Sequence, residues 1–284
     1  MKRDETSGQG SGPEPQGDAA AAFSSLASPL VDEAIAFAAE LGEDADPESF
    51  HKLRVSLRRL RSLWWAYSPL LDKDSNTRQR ALFKYLATAA GKTRDWDILL
   101  QLLSDEIAAE SASSSELRAA RAQALATSRE TLSNANVKDV LRETLSSSTK
   151  ALNTAHDRVS IRKFAERRVS ASEKALRKRM KRAARAKQSD YASFHEVRKA
   201  GKKLRYLLDL FGPVLRDKHR QTIKRLKKLQ KRFGALNDVV ASEALLGQNA
   251  DLFAGSGARD SVLQWLEKER KRRLRSAGKL LRDA

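Results

Sequence analysis

One helical pattern written twice constrains the fold of this chain more than any other feature. Phe50-His51-Lys52-Leu53-Arg54-Val55-Ser56-Leu57-Arg58-Arg59-Leu60-Arg61 returns as Phe194-His195-Glu196-Val197-Arg198-Lys199-Ala200-Gly201-Lys202-Lys203-Leu204-Arg205. Aligned without a gap, the two share Phe, His, Arg, a basic pair, Leu and Arg at the same positions. Each holds apolar residues in steps of four and three, the period of an amphipathic helix, and neither contains proline. The apolar rows are Leu53, Leu57, Leu60, Trp64 and Tyr67, and Val197, Gly201, Leu204, Leu208 and Phe211. Two such stripes require other helices to cover them, and the repetition points to an internal duplication with a shared task.

A second row runs around each helix, away from its stripe. It comprises His51, Arg54, Arg58 and Arg61 in one copy, and His195, Arg198, Lys202 and Arg205 in the other. Lys52, Arg59, Lys199 and Lys203 broaden these rows. At about 1.5 Å per residue, each row rises about 15 Å. Aligned cations repel one another, so the array costs stability unless an anion answers it. A carboxylate answers one member, whereas an extended polyanion answers all, with each guanidinium offering a fork of donors to phosphate oxygens. A single copy reads as a solvated face, but two copies in register read as an anion site. Each histidine heads a basic row, where neighbouring charge lowers its pKa and bound phosphate favours its protonated form. Zinc is not expected there, because the neighbours at helical spacing are arginine and lysine. No metal or other cofactor is expected elsewhere.

Charge distribution sharpens the expectation. The net charge is +19, yet residues 1–150 carry 19 Lys+Arg against 22 Asp+Glu, and residues 151–284 carry 36 against 14. The second half is strongly positive and implies an anionic partner: nucleic acid, an acidic membrane or another polyphosphate. Membrane insertion is not expected, because no apolar run approaches bilayer length and the basic helices lack an exposed apolar face. The absence of cysteine excludes disulfides, thiolate zinc sites and thiol catalysis, and fits a reducing compartment. Residues 1–18 have the composition of a disordered tail without an apolar signal segment, so a cytoplasmic location is expected.

Helix formers dominate and no convincing alternating strand is found, so the class is all-α. Helices are expected over about 19–41, 47–69, 76–91, 94–110, 116–132, 137–152, 161–187, from His195 to Gly212-Pro213, 218–233, after Asn237-Asp238, and 259–282. Gly91-Lys92-Thr93-Arg94-Asp95 and Gly234-Ala235-Leu236-Asn237-Asp238 lie at similar distances downstream of the two histidines. In each, glycine is expected to end a helix and aspartate to cap the next. Holding an arginine of the basic row is the alternative role for Asp95 and Asp238. The basic runs Arg177–Arg182 and Lys268–Arg275 are expected to be solvated, and His156 and His219 have no counterparts. Trp64, Trp65, Trp96 and Trp265 are expected in the core rather than as stacking platforms.

His51-x-x-Arg54-x-x-x-Arg58-Arg59-Leu60-Arg61, Gly91-x-x-Arg94-Asp95 and their second-half counterparts resemble the conserved histidine α-helical domain, the CHAD family. The resemblance runs from about Ala19 to the C-terminus, giving one domain over 19–284 with halves of about 19–150 and 151–284. It implies two antiparallel helical bundles related by a pseudo-twofold axis, with a basic central groove or channel that binds inorganic polyphosphate. It also implies association with polyphosphate granules. By that resemblance, the polyphosphate contacts are His51, Arg54, Arg58, Arg59, Arg61, His195, Arg198, Lys202, Lys203 and Arg205. Lys84 and Lys227, at matching positions on the following helices, join them. Lys202 stands where the first copy has arginine, and Asn237 where it has Arg94. The expected function is therefore non-enzymatic binding of inorganic polyphosphate. RNA or DNA binding is the second reading, although no groove-reading motif or cluster of stacking aromatics supports it. A metal-dependent phosphohydrolase is the third; it would need carboxylates such as Asp95 and Asp97 to hold Mg²⁺, and that pair is not repeated in the second half.

Overall fold

The structure, a computed structural model, describes residues 17–42, 47–106, 115–154, 159–187, 190–215, 219–253 and 258–282. All but two residues of the expected tail, the acidic turn before Pro47 and His156 lie outside these ranges. The described residues form ten α-helices and one short 3-10 turn, with no strand. The helices are α1 (Ala19–Ala39), α2 (Pro47–Ala66), α3 (Lys73–Ala89), α4 (Lys92–Glu106) and α5 (Ser115–Asn134). They continue with α6 (Val137–Asn153), α7 (Ile161–Arg185), α8 (Tyr191–Leu215), α9 (Arg220–Gln248) and α10 (Ala258–Arg282).

The apolar rows do what their period demands. Leu53, Leu57, Leu60, Trp64 and Tyr67 on α2 are fully buried, as are Val197, Gly201, Leu204, Leu208 and Phe211 on α8. Each buried Leu or Phe contributes roughly 1.5–3 kcal/mol over its exposed state. Helix α1 packs on α2 and α6, α3 on α2, and α7 and α9 on α8, while α2 and α8 touch each other. One core collects residues from both halves. Its aromatics meet mostly edge to face, Phe23 against Trp64 and Tyr67, and Trp64 against Phe83, with centroids 4.9 Å apart. The Trp64 indole nitrogen donates to Gln79 Oε1 (2.9 Å) and Ser148 Oγ (3.1 Å), joining α2, α3 and α6. A second, smaller core lies among α4, α5, α9 and α10, around Trp96, Leu99, Leu117, Val239 and Leu266.

Two expected breaks are absent. Helix α9 runs unbroken through Gly234, Asn237 and Asp238 and serves both cores, and α8 carries Gly212 and Pro213 inside its last turn. Glycine inside a helix costs only about 1 kcal/mol, which the apolar residues on either side of Gly234 outweigh. Pro213 lies two residues from the end of α8, so the lost hydrogen bond and the ring's clash with the carbonyl of residue 209 disturb only the helix terminus. Helix α1 also corrects an expectation: it is long and apolar enough to cross a bilayer by length and composition, with a hydropathy of 1.2. Here Phe23, Ala27, Val31 and Ala34 of that helix are buried against protein. The run Lys268–Arg275 is only partly solvated. Arg273 donates to Ala235 O (2.8 Å) and to the buried Glu269 (2.5 Å), tying α10 to α9.

Candidate functional site

Because both apolar stripes point into the core, the basic rows of α2 and α8 come out side by side where these helices touch. Arg58 and Arg61 from α2, with Arg198 and Lys202 from α8, line one cavity of about 420 Å³. Arg80 from α3 and Arg168 and Arg179 from α7 also line it, as do Lys199 and Lys203 from α8. Glu196 is the one carboxylate lining it, and it is already bound by Lys199 and by Arg179 at 3.5 Å. The cavity therefore has a large surplus of positive charge drawn from both halves of the chain.

Burial first, and neighbouring charge second, act on the protonation of the cavity's members. Burial lowers the pKa of Arg198, with Asp238 opposing and the charges of Arg58 and Arg54 lowering it further from across the helix pair. Lys202 is driven down to about 7, first by burial, then by Arg58 and Arg198. Burial likewise lowers Arg61, Arg80, Arg168 and Lys203. The Nε donors of Arg80, Arg168 and Arg198 are buried without an acceptor. A buried donor left unmade costs about 1–3 kcal/mol, so three of them mark a place suited to an anion with many acceptor oxygens.

The remaining expected contacts are placed elsewhere. Arg54 turns towards α4, donating to Gly91 O (2.9 Å) and pairing with Asp95 (3.6 Å). It lies so tightly over Gly91 that a Cβ there would stand 2.1 Å from its Nη1. Arg59 points to α1 and binds Glu33 (3.0 Å), and Lys52 sits over the Phe37 ring. Arg205 donates to Gln230 (2.7 Å) and pairs with Asp209 (3.5 Å). Lys84 and Lys227 are exposed and line none of the cavities described here. His51 opens onto a smaller cavity of about 190 Å³ beside Thr93 and Arg94, and His195 meets the Tyr191 hydroxyl at 3.2 Å. Burial lowers both histidines, with Arg94, Arg54 and Arg58 adding to the effect at His51 against Glu48, and Lys199 and Arg198 adding to it at His195.

The aspartates correct the capping expectation. Asp95 lies inside the first turn of α4 and Asp238 in the middle of α9, so neither is an N-cap. Asp95 instead holds Arg54, and Asp238 is the carboxylate that offsets Arg198 and Lys202. Burial raises the pKa of both, against the pull of those cations. Asp97 is taken by Arg121 (2.6 Å), and among the described residues no three His, Cys, Asp or Glu side chains gather as for a metal ion. His219 faces Glu173 at 3.6 Å.

Sequence reasoning missed Arg80 and Arg168, which have no local motif, and undervalued Arg179, which lies in a basic run. It assigned Trp65 to the core, against which that partly buried ring does pack, but not to the cavity as well. That ring lines the cavity, with Arg168 4.7 Å and Lys203 4.8 Å from its centroid, while the Trp65 carbonyl accepts from Arg168 (2.8 Å).

The described residues are helical, and four of the helices surround a cation-lined cavity. The chain belongs to the CHAD domain family, whose family model matches residues 26–247. Among solved structures it is similar to the CHAD domain from the plant Ricinus communis, at 24% identity and a TM-score of 0.80 over 97% of this chain and 96% of that one. It is also similar to PptA from Streptomyces chartreusis, at 15% identity and a TM-score of 0.59 over 93% and 96% of the two chains. At these identities the likeness is one of fold. No curated protein matches the chain.

Proposed function

We propose that this chain binds inorganic polyphosphate as a non-enzymatic module, acting in the cytoplasm at polyphosphate granules. The observation that carries the reading is the convergence of Arg58 and Arg61 with Arg198 and Lys202 on one cavity, where buried guanidinium donors lack acceptors. A flexible phosphate chain supplies many acceptor oxygens and about one charge per unit, and it bends into a recess where a stiff duplex does not fit. Affinity then comes largely from neutralised charge and released counterions. Support for nucleic acid is weaker, because Trp65, one of the two aromatics lining the cavity with Tyr206, already has Arg168 and Lys203 over its ring where a base would stack.

Competition tests the reading. Protein preloaded with fluorescent single-stranded RNA is titrated with polyphosphates of increasing length and with orthophosphate. Displacement at near-stoichiometric long chains, weakening steadily with shorter ones, is expected. RNA retained under those conditions, or orthophosphate competing as well as long chains, would overturn it.

A further inference from the structure

Lys202 is chemically unlike the other cations of the cavity. It is an amine, and an amine that loses its proton becomes a nucleophile. Arg58 and Arg54 act on it from α2, Arg198 from its own helix, and the offsetting charge is Asp238 on α9. Arg168 and Arg179 of α7 line the same cavity. Desolvation beside other cations is the environment that activates a lysine as a nucleophile. With its pKa near 7 in the unliganded protein, Lys202 holds far more free amine at pH 7.5 than an ordinary lysine, and a phosphoryl group bound beside it draws part of that share back to the protonated form.

We infer that Lys202 is a self-acylating lysine, modified by small acyl phosphates whose phosphoryl group is held by the surrounding Arg58 and Arg198. The inference rests on the reading of this cavity as a phosphate site. The Lys202 Nζ lone pair attacks the carbonyl carbon, and the N–C bond forms. The bond from that carbon to the phosphate oxygen breaks, orthophosphate leaves with the bonding pair, and the nitrogen releases a proton to solvent. The carbonyl carbon is an uncharged electrophile, so the cations that gather the phosphate do not repel the reacting centre. Holding donor and amine in one recess makes the step effectively unimolecular. The resulting amide is neutral and bulkier than the amine, so acylation weakens polyanion binding at the same place.

The test incubates the whole chain with acetyl phosphate at pH 7.5 and follows each lysine by peptide mass spectrometry. Lys202 should acetylate about ten-fold or more faster than the exposed Lys84 and Lys227. Orthophosphate should suppress that preference, and Arg198→Ala should slow Lys202 while leaving Lys84 unchanged. N-acetoxysuccinimide, an acyl donor without phosphate, should show a smaller preference for Lys202. Equal preference with both donors, or Lys202 reacting no faster than Lys84, overturns the inference. Polyphosphate titration of the same preparation separates the two proposals. Intact polyphosphate binding with an unreactive Lys202 rejects this inference alone. Selective acetylation without polyphosphate binding rejects the chain-ligand reading and leaves the acyl phosphate site standing. The acetylated protein should bind polyphosphate about three- to ten-fold more weakly.

Discussion

Arg58 and Arg59 are neighbours in sequence and face different partners. Arg58 lines the cavity, whereas Arg59 is held by Glu33 on α1. Arg58→Ala should therefore weaken polyphosphate binding about ten-fold at low salt, and Arg59→Ala should leave it within about two-fold, as read by isothermal titration. Gly91 and Gly234 separate in the same way. Alanine at 91 must displace the Arg54 guanidinium from Gly91 O and Asp95, costing about 1–3 kcal/mol in urea unfolding. Alanine at 234 meets nothing within 4 Å and lies inside a helix, so it should add about 0.5–1 kcal/mol. Lys202 gives a pH signature. Its folded pKa lies below its unfolded one, so the folded state binds fewer protons between pH 7 and the ordinary lysine range near 10.4. The destabilisation is complete below about pH 7 and fades as pH rises through that window. Lys202→Met should stabilise the unliganded protein by about 1–3 kcal/mol at pH 7, with the gain shrinking towards pH 10 in unfolding experiments run across that range.

At the scale of elements, most of the fold was legible. Helix positions followed from the 3.6-residue period and from punctuation such as the acidic turn before Pro47, and the boundaries of α2, α7 and α10 fall within a few residues of expectation. Where reading failed, a local signal met a tertiary one. Gly234-Ala235-Leu236-Asn237-Asp238 looks like a helix end followed by a cap, yet Phe233, Leu236 and Val239 are buried and carry α9 straight through. That continuity has a direct check. Gly234→Pro should cost about 3 kcal/mol or more and lower the melting temperature sharply; a variant as stable as the wild type would show that the helix is broken there. The same landmark held the better half of the alternative, since Asp95 and Asp238 sit beside arginines of the basic rows rather than capping.

Across the whole molecule, the two basic rows supply part of one cavity lining but not its outline. Arg58, Arg61, Arg198, Lys202 and Lys203 share the cavity, as a common face on two touching helices requires. Arg80 and Arg168 were illegible because the rotation of α3 and α7 about their axes is set by packing against α2 and α8, not by any motif they carry. The histidines, the most conspicuous residues of the pattern, lie beyond the cavity lining, His51 beside Thr93 and His195 beside Tyr191. Six cations of the strongly positive second half, Arg168, Arg179, Arg198, Lys199, Lys202 and Lys203, meet three arginines of the first half at one place. The account stands on both rows engaging one anionic chain. Titration of long-chain polyphosphate into the wild type and Arg58→Ala/Arg198→Ala across a salt series tests this directly. For the wild type, log K should fall linearly with log salt, and the double variant should bind on the order of a hundred-fold more weakly with a slope shallower by about 2. Identical affinities and slopes for the two proteins would contradict it.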